Sequence, residues 1–267
     1  MLRPALQLFR HRSLLGTLTV RDLKARYRGS LLGFFWSLVN PLLLLAVYSF
    51  VFGYVFRRPL GSSIEPYALF LVTGLFPWIW ASGSMLEGTL SLASNSGLLR
   101  KAVFPIEILP MVSVFANLAH FLFALPILLG ALAVGVAMGY PIGGWSMLLA
   151  PLVILLQIPM VAGLALALAS LNVHFKDVRD LLSNLLTLLF FLAPILYPLE
   201  AVTIRPLAWV VWANPFSPFT LAYQQTLFAG TVPGWSLWLH MAVISWLCWV
   251  VGAWIFDRLR NTLVEAV

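Results

Sequence analysis

The stretch "RDLKARYRGSLLGFFWSLVNPLLLLAVYSFVFGYVF", residues 21–56, decides the fold class. It opens with Arg21, Lys24, Arg26 and Arg28 around a single acid, Asp22. From Gly33 to Phe56 it is apolar and aromatic, without Asp, Glu, Lys, Arg or His. A bilayer core is about 30 Å thick, so about 20 apolar helical residues span it. Gly33–Phe56 is long enough. The basic segment before it is then a surface element where the chain enters the membrane. At helical spacing Val20, Leu23 and Tyr27 share one side, and Arg21, Lys24 and Arg28 line the adjacent one. That pattern suits an interfacial helix on anionic lipid heads. Gly29 and Gly33 permit a turn into the first span.

The rest of the chain carries the same reading. Of 267 residues, 61% are hydrophobic and 9% charged, and mean hydropathy is +0.96. An ordinary soluble domain holds about 25% charged residues. Five further apolar runs follow: Tyr67–Leu86, Pro110–Val136, Trp145–Leu171, Leu181–Tyr197 and Trp235–Phe256. The predicted fold is therefore all-α and integral to the membrane, a single transmembrane domain over residues 1–267. Residues 1–32 form a cytoplasmic interface segment, 33–256 hold six transmembrane helices, and 257–267 are a cytoplasmic tail. Between spans five and six, Pro198–Gly234 contains five prolines among Trp, Phe and Leu. It is too broken for one straight span and too apolar for a free loop. A re-entrant or interfacial pair of short helices is expected there.

Charge sets the orientation. Thirteen of the 16 Lys and Arg fall on one side of this topology; Arg57, Arg58 and Arg205 fall on the other. The positive-inside rule places both termini in the cytoplasm. No apolar core precedes Arg21, so the first span is expected to act as an uncleaved anchor. The formal charge of +7 is thus a membrane feature, and no nucleic-acid motif accompanies it. A lone cysteine, Cys248, excludes an intramolecular disulfide and a multi-Cys metal site. The chain has no G-x-x-x-x-G-K-[ST] phosphate loop, no Gly-rich dinucleotide turn and no H-E-x-x-H. It does not hydrolyse ATP by that machinery alone.

Two loops on the basic side carry charge. In "NSGLLRKAVFPIEILP", residues 95–110, Leu98, Leu99, Arg100, Lys101, Ala102 and Val103 spell a short apolar-basic helix that Pro105 ends. It suits docking on a cytosolic partner, or serves as a plain connector. Glu107 falls just inside the next helix, where an acid suits the N-terminal dipole. In "LNVHFKDVRDL", residues 171–181, local ion pairs and capping of the fifth helix by Asp177 or Asp180 are expected. Ionisable groups within or beside the spans are few: Glu87, Glu107, His120 and His240. They form no carboxylate chain of the kind a proton-coupled pump uses. Around the first span Phe34, Tyr48, Phe52 and Phe56 share one face, and Trp36, Phe50 and Tyr54 another. Either face suits a channel wall or an aromatic belt.

Five blocks, and the order in which they stand, carry a resemblance: residues 19–56, "LLRKAVFPIEILP" (98–110), "FKDVRDL" (175–181), "APILYPL" (193–199) and "NPFSPF" (214–219). Over nearly its whole length the chain resembles the membrane subunits of type-2 ABC exporters, in particular permeases for O-antigen, capsule and teichoic acid. Lys176-Asp177 stands where the family often has Arg-Asp, which keeps the charge and loses the bidentate fork. The resemblance implies a homodimer in the bacterial inner membrane, with two copies of a separate ABC ATPase subunit docked below. ATP and Mg then belong to that partner, and this chain holds no cofactor and is not itself an enzyme. Leu98, Leu99, Arg100, Lys101 and Val103 resemble the coupling helix, and Arg21, Lys24, Arg26 and Arg28 the interface helix. Pro198–Gly234 resembles short helices that gate the outer end of a channel. Phe34, Tyr48, Phe52, Phe56, Phe190 and Tyr197, from the first and fifth spans, would face a lipid-linked glycan. The alternative cargo is a small amphiphile or drug. A membrane glycan transferase needs clustered acids or histidines on a loop, which the sequence lacks, and an assembly factor needs no channel.

Overall fold

The computed structural model of the protein describes residues 2–51, 55, 64–97, 105–199 and 205–266. These residues are helical, with no strand among them. Ten α-helices occur in the order α1 (Leu2–Arg10), α2 (Arg12–Arg26), α3 (Trp36–Phe50), α4 (Tyr67–Ser94), α5 (Ile108–Ala137), α6 (Ala150–His174), α7 (Val178–Leu192), α8 (Arg205–Ala213), α9 (Ser217–Tyr223) and α10 (Trp235–Ala266).

Among the described residues four helical segments are long and apolar enough to cross a membrane: Tyr67–Ser94, Ile108–Ala137, Trp145–His174 and Trp235–Arg260. The protein is thus a multi-pass membrane protein. Each expected run here is extended. The second begins at Tyr67 as read from the sequence but continues to Ser94, because Ser84, Thr89 and Ser91 turn their hydroxyls onto their own helix. A buried hydroxyl satisfied in this way does not interrupt an apolar helix. Pro77, Pro126 and Pro159 sit inside helices without ending them. Of the other two expected spans, the first continues past α3 into residues outside the described ones, and the fifth is shorter than expected. α3 and α7 have 15 residues each, about 22 Å of helix. α7 starts at Val178 and stops at Leu192, where Ala193 turns extended.

α4 is the centre of the bundle. Of its span 78% is buried, against 28% for α5 and for α10. It packs on α5, α6, α3 and α7. Trp80 stacks flat on Phe121 of α5 at 5.5 Å. The most extensive pairing joins α6 to α10. There Gly163 and Gly252 face each other's backbone: a Cβ at Gly252 would fall on the Gly163 carbonyl, and one at Gly163 on the carbonyl of Cys248. Small residues let two membrane helices approach closely, and packing then supplies the attraction that the hydrophobic effect cannot supply in lipid.

Between α7 and α10, the proline-rich segment holds the short helices α8 and α9, and α9 runs into a π-helical turn, Gln224–Phe228. Every residue of α9 is buried. Apart from the Ser217 hydroxyl, which has no hydrogen-bond partner among the described residues, polar groups in and beside α9 are met from inside the bundle. Tyr223 donates to Gln157 at 2.9 Å, and Gln224 donates to the Pro194 carbonyl at 2.7 Å. Asn214 donates to the Leu189 carbonyl at 2.8 Å and accepts from the Phe216 amide at 3.0 Å. Irregular backbone buried in protein is tolerated at membrane depth for this reason.

Candidate functional site

The basic segment read from the sequence is helical. α2 ends at Arg26, and Gly29 (φ 79°) and Gly33 (φ 51°) turn the chain toward α3 with left-handed backbone. Leu23 and Tyr27 are half-buried, while Val20 is 50% exposed. Arg21, Lys24 and Arg28 are exposed. Arg26 turns inward. Its Nη1 donates to Glu87 Oε1 at 2.8 Å, its Nη2 meets Glu87 Oε2, and its Nε donates to Asp22 at 2.9 Å. Asn117 of α5 donates to the same Glu87 carboxylate at 2.5 Å. The neighbouring Tyr27 hydroxyl is 3.0 Å from His120 Nδ1. A fork and a ring contact thus pin the end of α2 to α4 and α5.

Burial works against the Arg26 charge, but hydrogen bonds and attraction from Glu87 and Asp22 overcome it and raise its pKa above the ordinary value. Burial also raises the Tyr27 pKa, with the Arg26 charge acting in the opposite sense. Two cavities flank the fork. One of about 320 Å³ lies between α2 and α3, lined by Tyr27, Trp36, Asn40, Phe76 and His120. The other, about 460 Å³, is lined by Arg21, Asp22, Glu87, Ser94 and Asn95.

The remaining expected site residues are placed as follows. Leu98, Leu99, Arg100, Lys101 and Val103 lie outside the described residues, as do Phe52, Phe56 and the Phe34 side chain. Tyr48 is half-buried against the core. Phe190 leans on Trp78 at 5.8 Å and Phe191 at 5.3 Å. Tyr197 donates back to the Leu192 carbonyl at 3.1 Å. α3 and α7 pack on α4 more than on each other. Asp177 holds the N-cap position of α7, but its side chain makes no capping bond. Its φ of −77° and ψ of −8° are helical, whereas a capping side chain needs extended backbone to reach the first amides. Arg179 and Asp180 lie 3.9 Å apart, both exposed. His240 stacks on Trp212 at 5.4 Å.

One feature of α7 escaped the sequence reading. Ser183, Asn184 and Thr187 are exposed, alongside Leu181, Leu185, Leu188 and Phe191. Only Leu182 and Leu186 on this helix are buried. The signal was legible as polar residues at 180, 184 and 187, the spacing of one helical face, inside an apolar run. Thr187 turns its hydroxyl onto the Ser183 carbonyl at 3.0 Å. No group of three or more His, Cys, Asp or Glu able to hold a metal occurs among the described residues.

The family model described as "ABC-2 type transporter" matches residues 13–228, the stretch from α2 through the π-helical turn. The chain belongs to the ABC-2 type transporter family. Relatives of this ABC-2 membrane protein match over 74–100% of its length. An O-antigen export system permease protein of Myxococcus xanthus, RfbA, is 35% identical over 269 residues, covering 100% of both chains. A Klebsiella pneumoniae protein of the same name is 31% identical over 252 residues and 94% of each chain. The polysialic acid transport protein KpsM of Escherichia coli is 25% identical over 74% of each chain.

Proposed function

We propose that this chain is the permease subunit of an ATP-driven exporter that moves a lipid-linked polysaccharide, of the O-antigen or capsule class, across the bacterial inner membrane. It acts as a homodimer bound to two copies of a separate ABC ATPase subunit, which holds ATP and Mg. The observation that carries this reading is α7. Its exposed Ser183, Asn184 and Thr187 offer donors and acceptors along a helix whose apolar residues suit a lipid-facing or subunit-facing surface. Sugar hydroxyls match such a row, and a second copy of the chain covers the leucines beside it. The names and full-length coverage of the relatives support the same substrate class.

In this reading α3 and α7 are the first and fifth of six spans within one transmembrane domain, and both termini are cytoplasmic. α8 and α9 form the re-entrant pair at the outer end. The exposed arginines of α2 rest on anionic lipid, and residues 98–103 dock on the ATPase. Phe34, Tyr48, Phe52, Phe56, Phe190 and Tyr197 belong to the channel wall.

The test is purification of the tagged chain in mild detergent, with identification of bound proteins and an assay of ATP hydrolysis. A stoichiometric nucleotide-binding subunit, stimulated by extracted lipid-linked polysaccharide, is the expected result. Stimulation by small amphiphiles and not by the glycolipid overturns the substrate class. A homo-oligomer with no ATPase overturns the permease reading.

A further inference from the structure

A buried ion pair joins the start of α5 to the end of α10. Glu107 stands at the N-terminus of α5, two residues after Pro105, and is 0% exposed. Arg260 near the end of α10 reaches it, Nη2 to Oε1 at 3.3 Å, with its own side chain 21% exposed. Among the described residues neither Glu107 oxygen receives a hydrogen bond, and Arg260 Nη1 makes none. An acid at a helix start is favoured by the dipole, but a fully buried one needs its cation. The same helix end makes a second link. Thr262 Oγ1 lies 2.9 Å from His174 Nε2, at the close of α6 and within the 171–181 stretch. Leu263 beside it is buried. The last turns of α10 therefore tie together the ends of both basic loops, although loop, span and tail are distant in sequence.

We propose that Arg260, acting through Glu107, is a positioning residue that fixes the start of α5 so that motion received at the preceding loop passes to α5, α6 and α10 as one body. The proposal rests on the permease reading. Without the pair, the loop still docks its partner but its displacement is absorbed at the start of α5. The bond between Thr262 and His174 is a second and weaker brace in the same device.

The test uses the whole complex, the chain with its co-purified ATPase, and the surface polysaccharide of the source strain. Arg260→Gln, Arg260→Lys and Thr262→Val are compared for bound ATPase, ATP hydrolysis and polymer exported per ATP. Arg260→Gln is expected to keep the ATPase bound and hydrolysing while polymer per ATP falls about fivefold or more, a size usual for coupling residues. Arg260→Lys should recover most of it, because the charge is kept. Thr262→Val should lower it about twofold. Unchanged polymer per ATP in Arg260→Gln overturns the proposal, as does equal loss in Arg260→Lys. If Arg260→Gln fails to reach the membrane, Thr262→Val decides: native coupling there overturns the proposal, and reduced coupling with normal ATPase binding supports it. A wild-type preparation with no ATPase overturns the permease reading itself, a different and recognisable failure.

Discussion

Arg26 and Glu87 meet fork to carboxylate, 61 residues apart in the chain, with Asp22 and Asn117 closing the remaining positions. The pair is neither deeply buried nor free, with side chains 25% and 41% exposed. Its worth lies in geometry: it fixes the angle at which α2 leaves the bundle.

Arg26→Lys keeps the charge and removes the fork, since an ammonium cannot donate to both oxygens and to Asp22 at once. Solvent screening limits the loss of stability to about 1 kcal/mol. The loss is expected as a lowered thermal midpoint in detergent, and Glu87→Gln should match it. A midpoint unchanged in both variants would show that α2 is held by Tyr27 and its leucines alone.

The pH dependence of this contact follows from Arg26 and Tyr27. Both pKa values are raised in the folded protein. A raised value means a contribution that is complete below the unfolded pKa and is lost as pH climbs through the folded one. For Tyr27 that loss begins only above its ordinary 10.0. The stability difference between wild type and Tyr27→Phe should therefore be flat from about pH 7 to about pH 9 and shrink at higher pH. Denaturation midpoints across that series check it; a difference that shrinks below pH 9 contradicts the assignment.

Gly252→Ala places a methyl group on the Gly163 carbonyl. The two helices must separate, which costs about 1–3 kcal/mol or more in a well-packed core. Gly16→Ala on α2 has open space around its new methyl and should be neutral or stabilising by about 0.5–1 kcal/mol. Thermal unfolding of the two variants side by side distinguishes packing from a general intolerance of substitution.

Asn184→Leu with Thr187→Val removes the polar row of α7 while keeping its bulk. Export of the polysaccharide is expected to fall about tenfold, while membrane level and bound ATPase hold; one lost hydrogen-bonding group is worth about 1 kcal/mol or more in a dry site. Normal export by this variant would move the channel wall to another helix.

Arg100→Glu with Lys101→Glu reverses both charges of the loop before α5. The ATPase should co-purify about tenfold less well, since like charges at an interface cost several kcal/mol, and the chain should still insert. Undiminished ATPase binding would remove the docking role from residues 98–103.

What was legible in the sequence was what one helix needs by itself. An apolar run of sufficient length announces a span, so Tyr67, Trp145 and Trp235 were found as helical starts directly. The proline-rich stretch announced short helices because proline breaks regular hydrogen bonding wherever it falls so densely. Helix ends were less legible. Ser84 to Ser94 looks polar, yet the hydroxyls of Ser84, Thr89 and Ser91 are turned onto their own backbone. Pairings were not legible at all. Nothing near Glu87 marks Arg26 as its partner, nothing near Glu107 marks Arg260, and Gly163 and Gly252 look like ordinary helix-weakening residues until two backbones are laid together. The polar face of α7 was spelled at 180, 184 and 187, but Asp180 reads as a loop charge and masked the pattern.

The glycine crossing also orders the birth of the protein. Gly163 is synthesised 89 residues before its partner Gly252, which at about 5–20 residues per second amounts to about 4–18 seconds. For that time the notch in α6 is open to lipid, and Ser245 of α10 is not yet there to donate to the Leu156 carbonyl. A chain cut short before Trp235 would keep that notch for good. The close crossing of α6 therefore forms only once α10 has been made, and until then its glycine face can be matched only by lipid.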